Sequence, residues 1–504
     1  MIFDRTGVLT TIKRTGGAVF RPGRALFLSR VFAAVMVAGT SLLFVACSIG
    51  PNYVRPAVSV PETYKEIDGW KVAQPGDAIA RGPWWEMFGD DDLNALAGEV
   101  NISNQNVIAA EAQFRQARSL IQAAQAAYFP TITAGASYTR LQRSANNTES
   151  GSSALPYSNY LLPVTVSWEL DLWGRVRRTV EAAKAGAEAS AADLEGIRLS
   201  SQAQLTVAYF QLRILDMQRQ LLDATVSAYA RSLELTKNQY EAGVATRADV
   251  LQAETQLKTT RAQAIDTGVQ RAQLEHAIAV LTGKMASSFS LPVKKLVFAP
   301  PDIPVGFPSD LLERRPDIAA AERRVAAANA QIGVALAAYF PRVTLGASGG
   351  YESTDSSNWL TWPSRFWAVG PGVSETIFDG GLRGALTDQS RAGYDAAVAS
   401  YRQSVLNGFK EVEDNVAALR ILEEESKAQD EAVAAARKSL EFSLNQYEQG
   451  TVSYLNVVVA QAAALNAERA GIDILGRRMA ASVLLIKALG GGWKSEDIKK
   501  SPKP

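Results

Sequence analysis

Apolar residues in the 504-residue chain follow two different periods, and each period predicts a different kind of element. From Ile197 to Ala242 there is neither glycine nor proline, which predicts a helix about 70 Å long at 1.5 Å per residue. Apolar side chains recur in it every seven positions, broken only at Arg219, with a second series three places on: Leu205, Leu212, Val226, Leu233 and Tyr240, then Ala208, Leu215, Leu222 and Tyr229. This heptad pattern is typical of a coiled-coil seam, so we expect a rod or tube wall rather than a globule.

Four other segments alternate with a period of two. Small polar residues alternate with apolar or aromatic ones at 131–139, 162–171, 343–351 and 367–374. That pattern over about ten positions predicts the strands of a transmembrane β-barrel. A closed membrane barrel needs about eight strands, and open sheet edges do not survive in hydrocarbon. The four predicted strands therefore indicate a barrel that identical copies of the chain build together.

The two halves of the chain resemble each other. Ala-Ala-Tyr-Phe-Pro at 126–130 recurs at 337–341, and Asn-Gln-Tyr-Glu at 238–241 recurs at 445–448. A proline-rich stretch at 292–308 separates the halves and reads as a linker. The pattern predicts an internal duplication in which each half carries long helices and two strands.

Each heptad helix ends at a glycine, Gly243 in the first half and Gly450 in the second. A glycine just beyond a helix favours the left-handed C-cap conformation. The next helix then opens with Thr246-x-x-Asp249 or Ser453-x-x-Asn456, which are variants of the capping box. We therefore expect a long antiparallel helical hairpin with a sharp tip in each half.

Composition narrows the function. With 47% hydrophobic and 20% charged residues the chain is not disordered. A single cysteine, Cys47, and a single histidine, His276, exclude an intrachain disulfide and cysteine-rich or histidine-based metal and catalytic sites. Residues 1–46 carry a net charge of +5 and the rest −4, which excludes a nucleic-acid binder. We expect no catalytic residue, no metal and no cofactor, so an enzyme is the weakest interpretation.

The N-terminal sequence predicts an export signal. After Arg30 the chain is uncharged and mostly apolar from Val31 to Ala46, as in the core of a signal peptide. Cys47 follows at once, and Phe44-Val45-Ala46-Cys47-Ser48 resembles the bacterial lipobox, in which the cysteine is lipidated. Ser48 after that cysteine fits retention in the outer membrane. The alternative is a buried cysteine in a signal anchor.

Further motifs along the mature chain resemble the outer-membrane efflux proteins of the TolC/OprM type, in the lipoprotein branch. They are Gly50-Pro51-Asn52-Tyr53, Trp84-Trp85, Glu169-Leu170-Asp171-Leu172-Trp173-Gly174-Arg175, Leu311-Leu312-Glu313-Arg314-Arg315-Pro316-Asp317, and Ala488-Leu489-Gly490-Gly491-Gly492-Trp493. The resemblance implies an α+β membrane protein: a homotrimer with a 12-stranded β-barrel, four strands per chain, continued by a long periplasmic α-helical coiled-coil barrel. It also implies docking on a periplasmic adaptor protein and on an inner-membrane pump of the resistance-nodulation-division class.

In that family the periplasmic tip closes the tunnel, in many members with acidic residues just after the hairpin turns. The resemblance implies that Tyr240 to Gly243 and Tyr447 to Gly450 form the adaptor-facing tip and that Asp249 occupies a gate position. A plain helix cap is an equal alternative for Asp249. In the second hairpin Asn456 stands where other members carry a charge, which argues against an acidic ring there.

The sequence thus predicts a passive outer-membrane exit duct of a tripartite efflux pump, anchored by lipid and extending into the periplasm. The alternatives are a duct for polypeptide secretion and a periplasmic coiled-coil lipoprotein that only scaffolds. The expected boundaries are a signal peptide at 1–46, a lipidated segment at 47–92, a first repeat at 93–291, the linker at 292–308, a second repeat at 309–490 and a tail at 491–504.

Overall fold

The computed structural model describes residues 48–58, 60–66, 83–142, 144, 155–294, 300, 301, 303 and 314–493. Cys47, the predicted signal peptide, most of the predicted linker and the tail from 494 lie outside the described residues. The helices are α1 (Asp91–Ser103), α2 (Gln105–Ala126), α3 (Arg175–Glu241), α4 (Arg247–Leu281), α5 (Pro316–Ala337), α6 (Leu382–Glu448) and α7 (Tyr454–Ala488). The strands are β1 (Thr131–Ala134), β2 (Ser137–Leu141), β3 (Tyr157–Glu169), β4 (Arg342–Ser353) and β5 (Arg365–Ser374).

The same succession of elements occurs twice. Helix α2 has 22 residues, and after β1 to β3 come α3 with 67 and α4 with 35. Helix α5 also has 22 residues, and after β4 and β5 come α6 with 67 and α7 with 35. Helices α3 and α4 pack as one antiparallel hairpin, and α6 and α7 pack as another. The long hairpins predicted from the heptads are therefore confirmed.

Helix α3 is longer than predicted, because it begins at Arg175 rather than near Ile197. The prediction began the helix after the last glycine, but the helix continues through two glycines, Gly186 and Gly196. A glycine in a helix costs about 1 kcal/mol relative to alanine. That cost is small beside the free energy gained when the first turns of the helix are buried. Val176, Val180, Ala182 and Ala185, which precede Gly186, are all buried. At 1.5 Å per residue, the 67 residues span about 100 Å.

All four segments that alternate with period two form strands, and together they make one antiparallel sheet. The first of them is interrupted between β1 and β2. The partner opposite the gap is Pro163, whose carbonyl accepts a hydrogen bond from the Gly135 N–H at 3.0 Å. Proline has no N–H to return a ladder bond, so the regular pairing breaks there while the register continues. The sheet order is β1 and β2 beside β3, then β4, then β5.

The two faces of the sheet differ in chemistry. The register puts Val166 opposite Ala347 and Ala347 opposite Val369 on one face. On the other face Thr165 lies opposite Ser348. The alternation along each strand therefore yields one apolar face and one face of small polar residues and glycines.

The largest buried cluster lies among the helices. It joins the middle of α3 to α6, α7 and the segment before α1, with Trp84, Phe88, Leu205, Tyr209, Phe210, Leu212, Val412 and Val416 among its members. No helix among the described residues is both long and apolar enough to cross a membrane.

Residues 48–58 and 60–66 run along the helices from the sheet toward this cluster. Its contacts include Ile49 with Trp173 and Arg178, Pro51 with Asn329, and Glu66 with Arg420. Ser48 lies beside Gly174, where the sheet joins α3. The residues that follow Cys47 are thus held against the helices, next to the end of the sheet where α3 begins.

Candidate functional site

The turns of the two hairpins are built alike. In the first, the Gly243 N–H donates to the Tyr240 carbonyl at 3.0 Å, and the Val244 N–H donates to the Gln239 carbonyl at 2.8 Å. These two bonds define a Schellman motif, which satisfies the last carbonyls of α3. Gly243 has φ +75°, a left-handed conformation that glycine adopts without a side-chain clash.

The second turn repeats that geometry. The Gly450 N–H donates to the Tyr447 carbonyl at 3.0 Å, and the Thr451 N–H donates to the Gln446 carbonyl at 2.9 Å. Gly450 has φ +72°. The prediction that a glycine ends each heptad helix in a sharp turn is therefore confirmed in both halves.

The helices that leave the turns are capped differently. The Thr246 side chain accepts from the Asp249 N–H, and the Asp249 carboxylate accepts from the Thr246 N–H at 2.8 Å, so α4 has the predicted capping box. Helix α7 begins after Ser453 as predicted, but Ser453 makes no side-chain cap bond. There the Asn456 N–H donates to the Ser453 backbone carbonyl, so the predicted second capping box is wrong.

The two hairpins of one chain pack against each other just above the tips. The first hairpin contributes Leu233, Val250 and Ala253, and the second contributes Tyr447, Tyr454 and Val457. We call these six residues the tip cluster. The rings of Tyr447 and Tyr454 lie 5.3 Å apart between centroids. The Tyr447 hydroxyl donates to Thr236 Oγ1 at 3.3 Å, so a polar contact joins α6 to α3.

The corresponding tyrosines of the two halves have different environments. Tyr447 is 6% exposed, whereas Tyr240, at the same place in the first hairpin, is 43% exposed. The heptad pattern predicts both on a buried seam, and within the chain this is wrong for Tyr240. One reason is visible in the tip cluster: Tyr447 faces the first hairpin of its own chain. Tyr240 is not a member of that cluster and stays exposed in the chain.

Burial also changes the electrostatics of the tip cluster. Desolvation raises the pKa of Tyr447 above its ordinary value, and the nearby Asp249 carboxylate adds to the effect. Desolvation likewise raises the pKa of Tyr454 to about 12, with smaller contributions from Tyr447, Tyr229 and Asp249. Both hydroxyls therefore stay neutral at physiological pH, and Tyr447 acts as a hydrogen-bond donor.

Sequence reasoning missed two contributors to this contact. Tyr454 is 1% exposed and packs on Tyr447. Gln461 on α7 donates through Nε2 to Ser232 Oγ on α3 at 3.1 Å, which ties the hairpins together farther from the tip. The sequence did contain a signal for Tyr454. When the two halves are aligned, Arg247 occupies the corresponding place in the first hairpin, so the two hairpins differ there.

The structure places most of the site residues predicted from the sequence at or near the hairpin turns. Tyr240, Gly243, Tyr447 and Gly450 all lie at the hairpin turns, and Asp249 lies in the first turn of α4. Asn456 is exposed at the start of α7 and outside the tip cluster. Among the described residues no cluster of histidine, cysteine, aspartate and glutamate side chains could hold a metal ion. What the geometry provides is a packed contact between the two hairpins of one chain, next to their turns.

The chain is similar to known proteins that are all described as outer-membrane efflux proteins or outer-membrane channels. The family model described as "Outer membrane efflux protein" matches residues 96–284 and 307–491. The probable efflux pump outer membrane protein TtgC of Pseudomonas putida is 31% identical over 464 residues, or 91% of this chain and 95% of the relative. The solved outer-membrane channel OprN is 31% identical, with TM-score 0.83, over 89% of this chain and 100% of that one. The open Neisseria gonorrhoeae channel MtrE is 28% identical, with TM-score 0.78, over 89% and 99%.

Proposed function

The chain belongs to the outer membrane efflux protein family, and on that premise we propose that it is the outer-membrane exit duct of a tripartite efflux pump. It is a transport channel of the outer membrane that extends into the periplasm, and it is not an enzyme. The duct is passive, because the energy comes from the pump. Its cargo is drugs or other small toxic compounds.

We propose that three copies build the channel. The observation that carries this is the sheet, whose edges β1/β2 on one side and β5 on the other have no partner among the described residues. Such edges are not tolerated in hydrocarbon. If β5 of each copy pairs with the β1/β2 edge of the next, three copies close a ring of 12 strands, counting β1 and β2 as one interrupted strand. The apolar face would then meet lipid and the small polar face would line the lumen.

The periplasmic part of the duct would consist of the helical hairpins. Two hairpins per chain give six in the trimer, and helices about 100 Å long make a tube deep enough to bridge much of the periplasm. The equal lengths of 22, 67 and 35 residues in both halves support an internal duplication, with the repeats at 93–291 and 309–490. A duplicated hairpin gives a trimer quasi-sixfold symmetry at its tip.

The hairpin tips would form the gate and the docking surface for the periplasmic adaptor. The tip cluster packs the two hairpins of one chain together, which supports a closed state held by this contact. The adaptor and the inner-membrane pump would open the tip by binding the parted arrangement more tightly than the closed one. Asp249 would place one carboxylate per copy near the opening, in addition to its capping role.

Conductance of the purified protein tests the proposal. Reconstituted trimers should conduct ions in planar bilayers, and a strain that lacks the chain should become more susceptible to exported compounds. A periplasmic scaffold would give no conductance. A polypeptide secretion duct would conduct but would leave the susceptibility of the deletion strain unchanged, so the two measurements together distinguish the three functions.

We propose lipidation of Cys47 as the anchor. Ser48 lies beside Gly174, at the end of the sheet where the helices begin, so an acylated neighbour would reach the inner leaflet of the membrane. Replacing Cys47 with alanine should abolish metabolic labelling with fatty acid, while trimers still form because the strands carry the membrane contact. Labelling that persists in Cys47→Ala would contradict the assignment.

A further inference from the structure

The apolar face of the sheet is exposed in the chain. Seven of its large side chains are 38–80% exposed: Trp367, Val373, Ile132, Val369, Tyr138, Val164 and Leu345. The register places all of them on one side of the sheet. We call this side the outer face, because in the proposed barrel it would meet the lipid.

Two arginines lie on the outer face at the end of the sheet away from the helices. Arg140 pairs with Ser158 near the end of β2, two residues beyond Tyr138. Arg365 pairs with Tyr351 at the start of β5, two residues before Trp367. Because side chains alternate along a strand, each arginine points to the same side as its aromatic neighbour. Both arginines are exposed.

Charges at this end of the sheet are sorted by face. Neither Arg140 nor Arg365 forms an ion pair within the part of the chain that the structure describes. Glu352, the carboxylate on β4 at the same end, pairs with Leu161 and so lies on the opposite face, where it accepts from Asn159 Nδ2 at 3.1 Å. The outer face at this end is therefore basic, directly next to its aromatic residues.

The guanidinium of Arg365 is held in place. Its Nε–H donates to the Trp362 carbonyl at 2.9 Å, and the group stacks over the Trp362 ring. Among the described residues, these contacts use one of the five N–H donors, and the terminal nitrogens donate to no protein acceptor. A fixed guanidinium fork with free terminal donors matches the geometry of phosphate oxygens.

We propose that Arg140 and Arg365 bind phosphorylated lipids of the outer leaflet of the outer membrane. The inference rests on the proposed function, which puts the helices in the periplasm and hence this end of the sheet at the cell exterior. Aromatic residues mark the membrane interface. Each arginine lies two residues farther along its strand toward the cell exterior than Tyr138 or Trp367, and so at the depth of the lipid headgroups. Phosphate is the anionic group that the headgroups present there.

The position of the two strands predicts where the lipid binds. Arg140 is on the β1/β2 edge of the sheet and Arg365 is on the β5 edge. In a closed ring these edges belong to neighbouring copies, so Arg140 of one copy and Arg365 of the next flank each junction. A lipid that carries two phosphates would bridge them and strengthen the three junctions.

The test uses the intact trimer in lipid nanodiscs. Phosphatidylcholine discs are doped with diphosphorylated lipid A, with its enzymatically dephosphorylated form, or with phosphatidylglycerol, and the retained lipid is counted by native mass spectrometry. The double variant Arg140→Gln/Arg365→Gln is compared with Arg391→Gln/Arg402→Gln, which removes the same charge from α6 outside the sheet. An arginine near an anionic surface changes affinity about fivefold. The affinity of Arg140→Gln/Arg365→Gln, the rim variant, for diphosphorylated lipid A should therefore fall about 25-fold, and that of the control variant should not change.

Three results decide the matter. Preferential retention of diphosphorylated lipid A that is lost in Arg140→Gln/Arg365→Gln supports the proposal. Equal retention by the wild type of phosphorylated and dephosphorylated lipid A overturns it, as does equal binding of lipid A by the rim and control variants. Conductance is recorded on the same preparations: normal conductance without lipid preference refutes the lipid site alone, whereas absent conductance in the wild type refutes the proposed channel.

Discussion

Replacing Tyr447 with alanine tests whether the tip cluster holds the two hairpins of one chain together. The side chain is 6% exposed, and its hydroxyl donates to Thr236. Removing a buried aromatic side chain costs about 3–5 kcal/mol, of which the hydrogen bond accounts for about 1 kcal/mol. Because Tyr447 is near the end of α6, we expect the loss to appear as local opening of the tip rather than as global unfolding.

Amide hydrogen exchange measured by mass spectrometry provides the assay. A loss of about 3 kcal/mol corresponds to a fall in protection on the order of 100-fold in peptides from both hairpin ends. Tyr447→Phe keeps the ring and should lose less than about tenfold. Tyr240→Ala is the matched control, since Tyr240 holds the same place in the first hairpin but is 43% exposed.

The decisive comparison is between the two alanine variants. If Tyr447→Ala leaves protection in the first hairpin unchanged, the tip cluster does not join the hairpins. If Tyr240→Ala lowers protection as much as Tyr447→Ala does, the difference in burial has no energetic meaning and the reasoning from the tip cluster is refuted.

Three further predictions concern the sheet, the pH dependence and the proposed gate. A Cβ on Gly350 would lie 2.0 Å from the Leu162 carbonyl oxygen, so Gly350→Ala should lower the unfolding temperature of the trimer at a cost of about 1–3 kcal/mol, whereas Gly370→Ala, with open space around it, should not. The pKa of Tyr454 is raised to about 12, so its burial stabilises the fold fully below about pH 10 and this stability is lost between about pH 10 and 12; the melting temperature of the wild type should fall more steeply there than that of Tyr454→Phe. Asp249→Asn should raise resting conductance in planar bilayers if the carboxylate helps to seal the tip, and unchanged conductance would leave Asp249 with the cap role alone.

Much of the architecture follows from the order of residues alone. A heptad period over dozens of residues without glycine or proline allows only a long helix that buries one stripe, and alternation with period two allows only an extended strand with two different faces. Gly243 and Gly450 define the hairpin turns because few other residues adopt the left-handed conformation that a Schellman motif needs. These are local constraints, so each can be read within a short window of the sequence.

Tertiary packing decided what local rules leave open. Helix α3 continues through Gly186 and Gly196 because the neighbouring helix face is buried, which outweighs the glycines' propensity. Tyr240 and Tyr447 share one motif and one heptad position, but Tyr447 is buried in the tip cluster and Tyr240 is exposed. Burial and the tyrosine pKa shift depend on which surfaces approach each other across 200 residues of sequence. That information is in the packing of the chain and in no single segment of it.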